Sequence, residues 1–193
     1  MRPIANSGDP FGLAVAQIKA VTPRPEFVMA EAPAPQRLAP AAIAVTVDMA
    51  DPEAIDVSGR FVLLHDPDGV EEWEGTFRSV VFVRAELDAE MIEDPMLPDV
   101  AWSWVQESLH DLTAMHVGGT VTRSSGRSFG TMGDRPPEGT LEIRASWTPA
   151  ASGAGTMDDL ADHVYAWLDL VAQAAGLPPM SRGVVPVLSR RRS

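Results

Sequence analysis

The chain has no cysteine, and that absence alone excludes disulfide cross-links, thiolate nucleophiles and cysteine-ligated zinc. Lysine is almost missing too. Lys19 is the one lysine among 15 basic residues, so positive charge rests on arginine, whose planar fork suits carboxylates and phosphates. A GC-rich coding bias gives the same skew. No apolar run approaches the roughly 18 residues that a membrane-spanning helix needs. The start MRPIANSGDPFG lacks the apolar stretch and cleavage site of a secretory signal, so a cytoplasmic protein without membrane association is expected. Two common catalytic signatures are absent as well: there is no HExxH and no phosphate-binding P-loop. His65, His110, His116 and His163 show no metal-ligand spacing and read as structural histidines. The carboxylates Glu86, Asp88, Glu90 and Glu93 are dense enough to form a solvated face rather than an acid/base pair. No catalytic residue, metal or cofactor is therefore assigned.

What is present is an acidic chain of ordinary apolar content. Its 193 residues can bury a core as one domain, and 45% apolar against 22% charged residues is near the globular norm. With 27 acidic and 15 basic residues the net charge is −12, a field that repels phosphate backbones, so non-specific binding to duplex nucleic acid is not expected. The expected organisation is a flexible N-terminus over 1–8, a single domain over 9–178, and a flexible basic tail over 179–193 ending in Arg190, Arg191 and Arg192.

Periodicity outlines the elements. DPFGLAVAQIKAV sets Phe11, Ala14, Val15, Ile18 and Val21 at helical spacing behind Asp9 and Pro10, and Pro23 ends the run. The proline-punctuated PRPEFVMAEAPAPQRLAP reads as an extended surface connector. Three strands follow: AAIAVTVDM, with Ile43, Val45, Val47 and Met49 on one face, then RFVLLH, then GTFRSVVFVRAEL. Between the last two, DPDGVEEWEG offers Asp66, Asp68, Glu71 and Glu72 but not the alternating ligands of a calcium loop; Pro67, Asp68 and Gly69 make it a turn. A helix from near Pro98 aligns Leu97, Ala101, Trp104, Val105, Ser108 and Leu112, leaving Trp102, Gln106 and Leu109 off the stripe. Strands VGGTVTRS and TLEIRASWT flank a Gly/Pro-rich loop. Thr156 and Asp159, in a variant capping box, open a last helix that buries Leu160, Val164, Trp167, Leu168 and Val171 and stops at Gly176 and Pro178. The order α-βββ-α-ββ-α with short links predicts an α+β fold, a five-stranded mostly antiparallel sheet with helices packed on one face.

Function is expected on the other face. Alternation turns Phe77, Val81 and Val83 inward and Arg78, Val80, Phe82, Arg84 and Glu86 outward. In the last strand Leu141, Ile143, Ala145 and Trp147 point in, while Glu142, Arg144 and Ser146 point out beside Thr120, Thr122 and Ser124. Such a mixture suits protein binding, and it equally suits a solvated face of cross-strand salt bridges. GTVTRSSGRSFG, residues 119–130, adds a turn in which Arg123 and Arg127 bracket Ser124, Ser125 and Gly126. That composition can cradle one phosphate or carboxylate, or be a plain hairpin loop whose arginines pair with acids. The candidate binding residues are Arg78, Phe82, Arg84, Trp102, Arg123, Ser124, Ser125, Arg127 and Arg144. Trp102, off its helix stripe, also marks, with the sheet face, a surface for homodimerisation.

Five separated segments, LLHDPDGVEEWEGTFRSVVFVRAEL, DPMLPDVAWSW, GTVTRSSGRSFG, EIRASWTP and WLDLVAQAAGLPP, resemble in order an actinobacterial family known as domain of unknown function 3000. The resemblance covers residues 10–180 and carries no catalytic residues, because that family has no assigned activity. It implies a link to RNA metabolism, since members are encoded beside a ribonuclease D-like gene, and so suggests a ribonuclease as partner. The element order also resembles that of type III secretion chaperones, which are small, acidic and usually dimeric; this is a likeness of fold order alone. The expected function is a small, acidic, chaperone-like protein-binding or adaptor module whose partner is another protein. The alternative is an enzyme acting on a small anionic substrate.

Overall fold

Alternating apolar residues build the centre of the molecule, a six-stranded antiparallel sheet. In the computed structural model, which describes residues 9–135, 138–150 and 159–180, its strands are β1 (Phe27–Ala32), β2 (Ala41–Met49), β3 (Val57–Val70), β4 (Gly75–Leu87), β5 (Ala114–Gly126) and β6 (Glu138–Pro149). They lie in the spatial order β1-β2-β3-β4-β6-β5, and every neighbouring pair is antiparallel. Helices α1 (Pro10–Ala20), α2 (Ala89–Glu93), α3 (Leu97–Ser108) and α4 (Leu160–Ala174) supply the rest of the main core. The α+β class and the antiparallel sheet agree with the sequence reading. The strand count does not.

The additional strand is β1, inside the segment read as a surface connector. Pro25 and Pro33 flank it rather than interrupt it, so the backbone donors between them are free to pair with β2 from Phe27↔Met49 to Ala32↔Ala44. Phe27 is buried in the core and Val28 faces out. The second unforeseen element is α2, five residues long and too short for a periodic signal; the Asp88 carboxylate caps it by accepting from the Met91 N–H at 2.9 Å.

Side-chain alternation sorts the two faces as expected. Phe77, Val81, Val83, Leu141, Ile143, Ala145 and Trp147 are all buried against the helices. Helix α4 lies across β3 and buries ten of its residues, including His163 and Trp167. In α3 the buried residues are Leu97, Ala101 and Val105, and Leu109 just after it is buried as well, so the apolar stripe is wider than its spacing suggested. Trp102 is half-buried and packs on that core instead of standing free. The expected turn at Pro67, Asp68 and Gly69 is an irregularity inside β3, where the register with β4 shifts between His65 and Val70: Asp66 accepts from the Asp68 N–H at 3.0 Å, and Gly69 takes the left-handed φ of 78° that glycine tolerates best. Gly176, at φ 67°, follows α4 as expected. Asp159 sits at the N-cap of α4 without a capping bond, and Thr156 lies outside the described residues, as do 1–8 and 181–193. Among the described residues no helix is long and apolar enough to cross a membrane.

Among the described residues no helix covers the opposite face of the sheet. Part of that face is roofed by the segment after β1, where Ala34 and Ala39, together with Trp73, pack on a small cluster of Ala44, Val62 and Leu64. The Arg60 guanidinium fastens this segment by donating to the Pro33 carbonyl. Among the described residues the remainder, formed by β4, β6 and β5, stays open.

Candidate functional site

Register builds the open half of the face row by row. Arg60 stands opposite Phe82, Phe82 opposite Arg144, and Arg144 opposite Thr120, so an aromatic ring lies between two arginines on adjacent strands. The Arg144 guanidinium carbon is 5.4 Å from the Phe82 ring centroid, an arrangement worth about 0.5–1 kcal/mol at an exposed site. Glu142 holds the same guanidinium at 3.1 Å. In the next row Arg84 faces Glu142 and reaches Asp56 at 3.4 Å and Glu86 at 3.5 Å. Arg84 and Arg144 thus form the surface salt bridges that one reading of the sequence allowed, and Arg144 also packs on Phe82.

Arg78 differs from both. Its partners are hydroxyls, Ser146 at 2.8 Å and Thr148 at 3.0 Å, and Thr148 in turn donates to the Trp73 carbonyl at 2.6 Å. Among the described residues it has no carboxylate partner, and burial lowers its pKa from the usual guanidinium value. This side chain braces β4 against β6 and is only partly available to a ligand.

Beside Arg84 the face dips into an open recess of about 530 Å³, lined by Arg84, Glu86, Ser124, Ser125, Glu138 and Thr140 among others. The structure therefore brings Ser124 and Ser125 to Arg84, a meeting the sequence did not foresee. One guanidinium and two carboxylates share this space with three hydroxyls. It can hydrogen-bond a polar group, but it is not a dedicated anion cradle.

The two loop arginines do not join that constellation. Arg123 pairs with Leu141 across the ladder, which places it on the helix side, where its Nη1 donates to the carbonyls of Asp94 at 2.7 Å and Ile92 at 3.2 Å. Arg127 lies beyond the end of β5 and comes within 4.0 Å of Glu93. Both therefore turn towards α2, and Arg123 ties the strand to it. The parity that sends Thr120, Thr122 and Ser124 outward sends Arg123 the other way, so this direction was readable. Reading the loop by composition concealed it.

Two buried histidines escaped individual notice. His163, fully buried on α4, accepts at Nδ1 from the Trp147 indole N–H at 3.0 Å, and its Nε2 lies 3.7 Å from Asp159. The acceptor role of Nδ1 puts the proton on Nε2, facing the carboxylate. Burial lowers the His163 pKa, against the opposing pull of Asp159 and then Asp162. His65 is stacked between Phe11 and Phe77, with ring centroids 5.7 and 4.3 Å away, and burial likewise lowers its pKa. Both lie on the helix side and read as core residues, in line with a structural role, whereas His110 and His116 are exposed.

The chain belongs to the family described as protein of unknown function DUF3000, whose model matches residues 7–185. No curated protein and no solved structure matches the chain.

Proposed function

We propose that this protein is a binding module that engages a protein partner through the open half of its sheet, with Phe82 and Arg144 at the centre of the contact. The observation that carries this reading is the Phe82 ring beneath the Arg144 guanidinium on a sheet face that, among the described residues, no helix covers. Aromatic residues and arginine are the side chains most enriched at the energetic centres of protein interfaces. The recess beside Arg84 gives that contact a polar margin. A ribonuclease is the first partner to try, through the link to RNA metabolism that the family suggests, and the charge of −12 favours touching the enzyme over touching its RNA. The module is expected to act in the cytoplasm. An enzyme acting on a small anionic substrate draws less support, because no histidine lines the recess and the His163–Asp159 pair is packed in the core.

The test compares the wild type with a Phe82→Ala/Arg144→Glu variant as bait in extracts of the native cell. The expected result is a reproducible partner whose recovery falls at least tenfold with the variant while the melting midpoints agree. Equal recovery by both baits, or no reproducible partner, overturns the proposal.

A further inference from the structure

We infer that β5 is an acceptor edge, which takes an extended acidic segment of the partner as an added strand. This rests on the protein-binding reading and adds the chemistry of what is bound. The two edges of the sheet are built differently. Strand β1 is six residues long, lies between Pro25 and Pro33, and carries Glu31 paired to Lys19 at 3.1 Å, all features that blunt an edge against further pairing. Strand β5 is 13 residues long and contains no proline, and among the described residues nothing pairs with its side away from β6. Its irregularity is confined to the start, where His116 adopts a φ of 52° and the register shifts between Met115 and Gly118. From Gly118 to Gly126 the ladder is regular, from Ser146 to Glu138 on β6. At about 3.3 Å per residue that is room for a strand of roughly eight residues.

Charge decides which strand fits. The chain has 27 acidic residues, yet none between Asp111 and Asp134, a stretch that holds all of β5 together with Arg123 and Arg127. Of the nearby carboxylates, Glu142 is engaged by Arg144, Glu93 lies 4.0 Å from Arg127 and Glu74 lies 3.3 Å from His116, while Glu86 and Glu138 line the recess beside Ser124 and Ser125. Both hydrogen bonds from Arg123 use Nη1, so they leave Nη2 and Nε to meet a further carboxylate. An added strand alternates its side chains between the two faces, so acids at every second position would lie on the side of Arg123, and uncharged residues on the side of Thr120, Thr122 and Ser124. Exposed apolar side chains lie at both ends, Met115 and Val117 before the regular stretch and Phe129 and Met132 after it. A second copy of this chain fits less well. Its charge of −12 repels the first, and its own β5 brings no acid to Arg123.

The test uses the full chain and two labelled ten-residue peptides of alternating valine and glutamate or valine and lysine. Fluorescence anisotropy should show binding of the glutamate peptide at least tenfold tighter than the lysine peptide and weakened by 0.5 M salt, with slowed amide exchange over residues 119–126. Adjacent residues of an edge strand alternate their N–H groups towards and away from the neighbour, so one of Val121→Pro and Thr122→Pro removes only an outward donor. Whichever of the two keeps the wild-type melting midpoint should lose binding at least tenfold. Equal binding of both peptides, unchanged exchange over 119–126, or full binding by that proline variant overturns the inference. So does a dimer in sedimentation whose formation protects the same amides, since the occupant is then a second copy. Any of these results, together with a captured partner that still depends on Phe82 and Arg144, refutes the acceptor edge alone and leaves the open-face reading intact.

Discussion

Gly59 marks the closest approach of α4 to the sheet. A Cβ built there would lie 2.9 Å from Val171 Cγ2 and 3.0 Å from Trp167 Cζ2, so Gly59→Ala forces the helix away from β3. Overpacking of this kind costs about 1–3 kcal/mol, which denaturant unfolding measures directly; an unchanged midpoint would contradict the packing described. The buried histidines add a pH dependence. Burial lowers the pKa of His65 and of His163, so below the ordinary imidazole value of 6.5 the unfolded chain takes up protons that the native state does not. Their contribution to stability is complete above that pH and is lost as the pH falls towards the lowered native values. The melting midpoint should therefore fall between pH 7.5 and 5.5, and fall less in His163→Gln whatever the absolute stability of that variant. A steeper fall in the variant would refute the assignment.

At the scale of elements, the short helix α2 depends on contacts that no local pattern announces. Gly139 of β6 lets it sit close, since a Cβ there would be 2.6 Å from Ile92, and Arg123 binds its last carbonyls from β5. Hydrogen bonds that involve a charged group contribute about 1.5–3 kcal/mol, whereas a long exposed ion pair contributes about 0–1 kcal/mol. Arg123→Ala should thus destabilise the protein and speed amide exchange in α2, and Arg127→Ala should do neither; equal effects of the two would contradict the tether. The same contrast explains what was legible in the sequence. The faces of β2, β4 and β6 and three of the four helices follow from period 2 and period 3.6 patterns, which a buried face imposes. Strand β1 hid among prolines that flank it, and α2 among acids that cap it. The recess was hidden for a different reason: Arg84 and Ser124 meet only through the pairing of β4 with β6 and β6 with β5, a long-range register that spacing along the chain does not encode. Trp102 misled because its place off one stripe implied exposure, whereas a wide helix face packs it on the core.

At the scale of the molecule, the decisive asymmetry among the described residues is a sheet covered by helices on one face and only partly covered on the other. The strong negative charge of the chain keeps phosphate backbones away, while the arginines of β4 and β6 stay concentrated on the open face, where Debye screening beyond about 8 Å isolates them from the distant acids. Binding through that face is the central claim, and site-specific photo-crosslinking in the native cell tests it most directly. A photoreactive residue is placed at Thr120 or Ser146 on the open face, and as a control at exposed Gln106 on α3. A discrete crosslinked protein from both open-face positions and none from Gln106 is the predicted result. Crosslinks from Gln106 alone, or equal yields from all three positions, would contradict it.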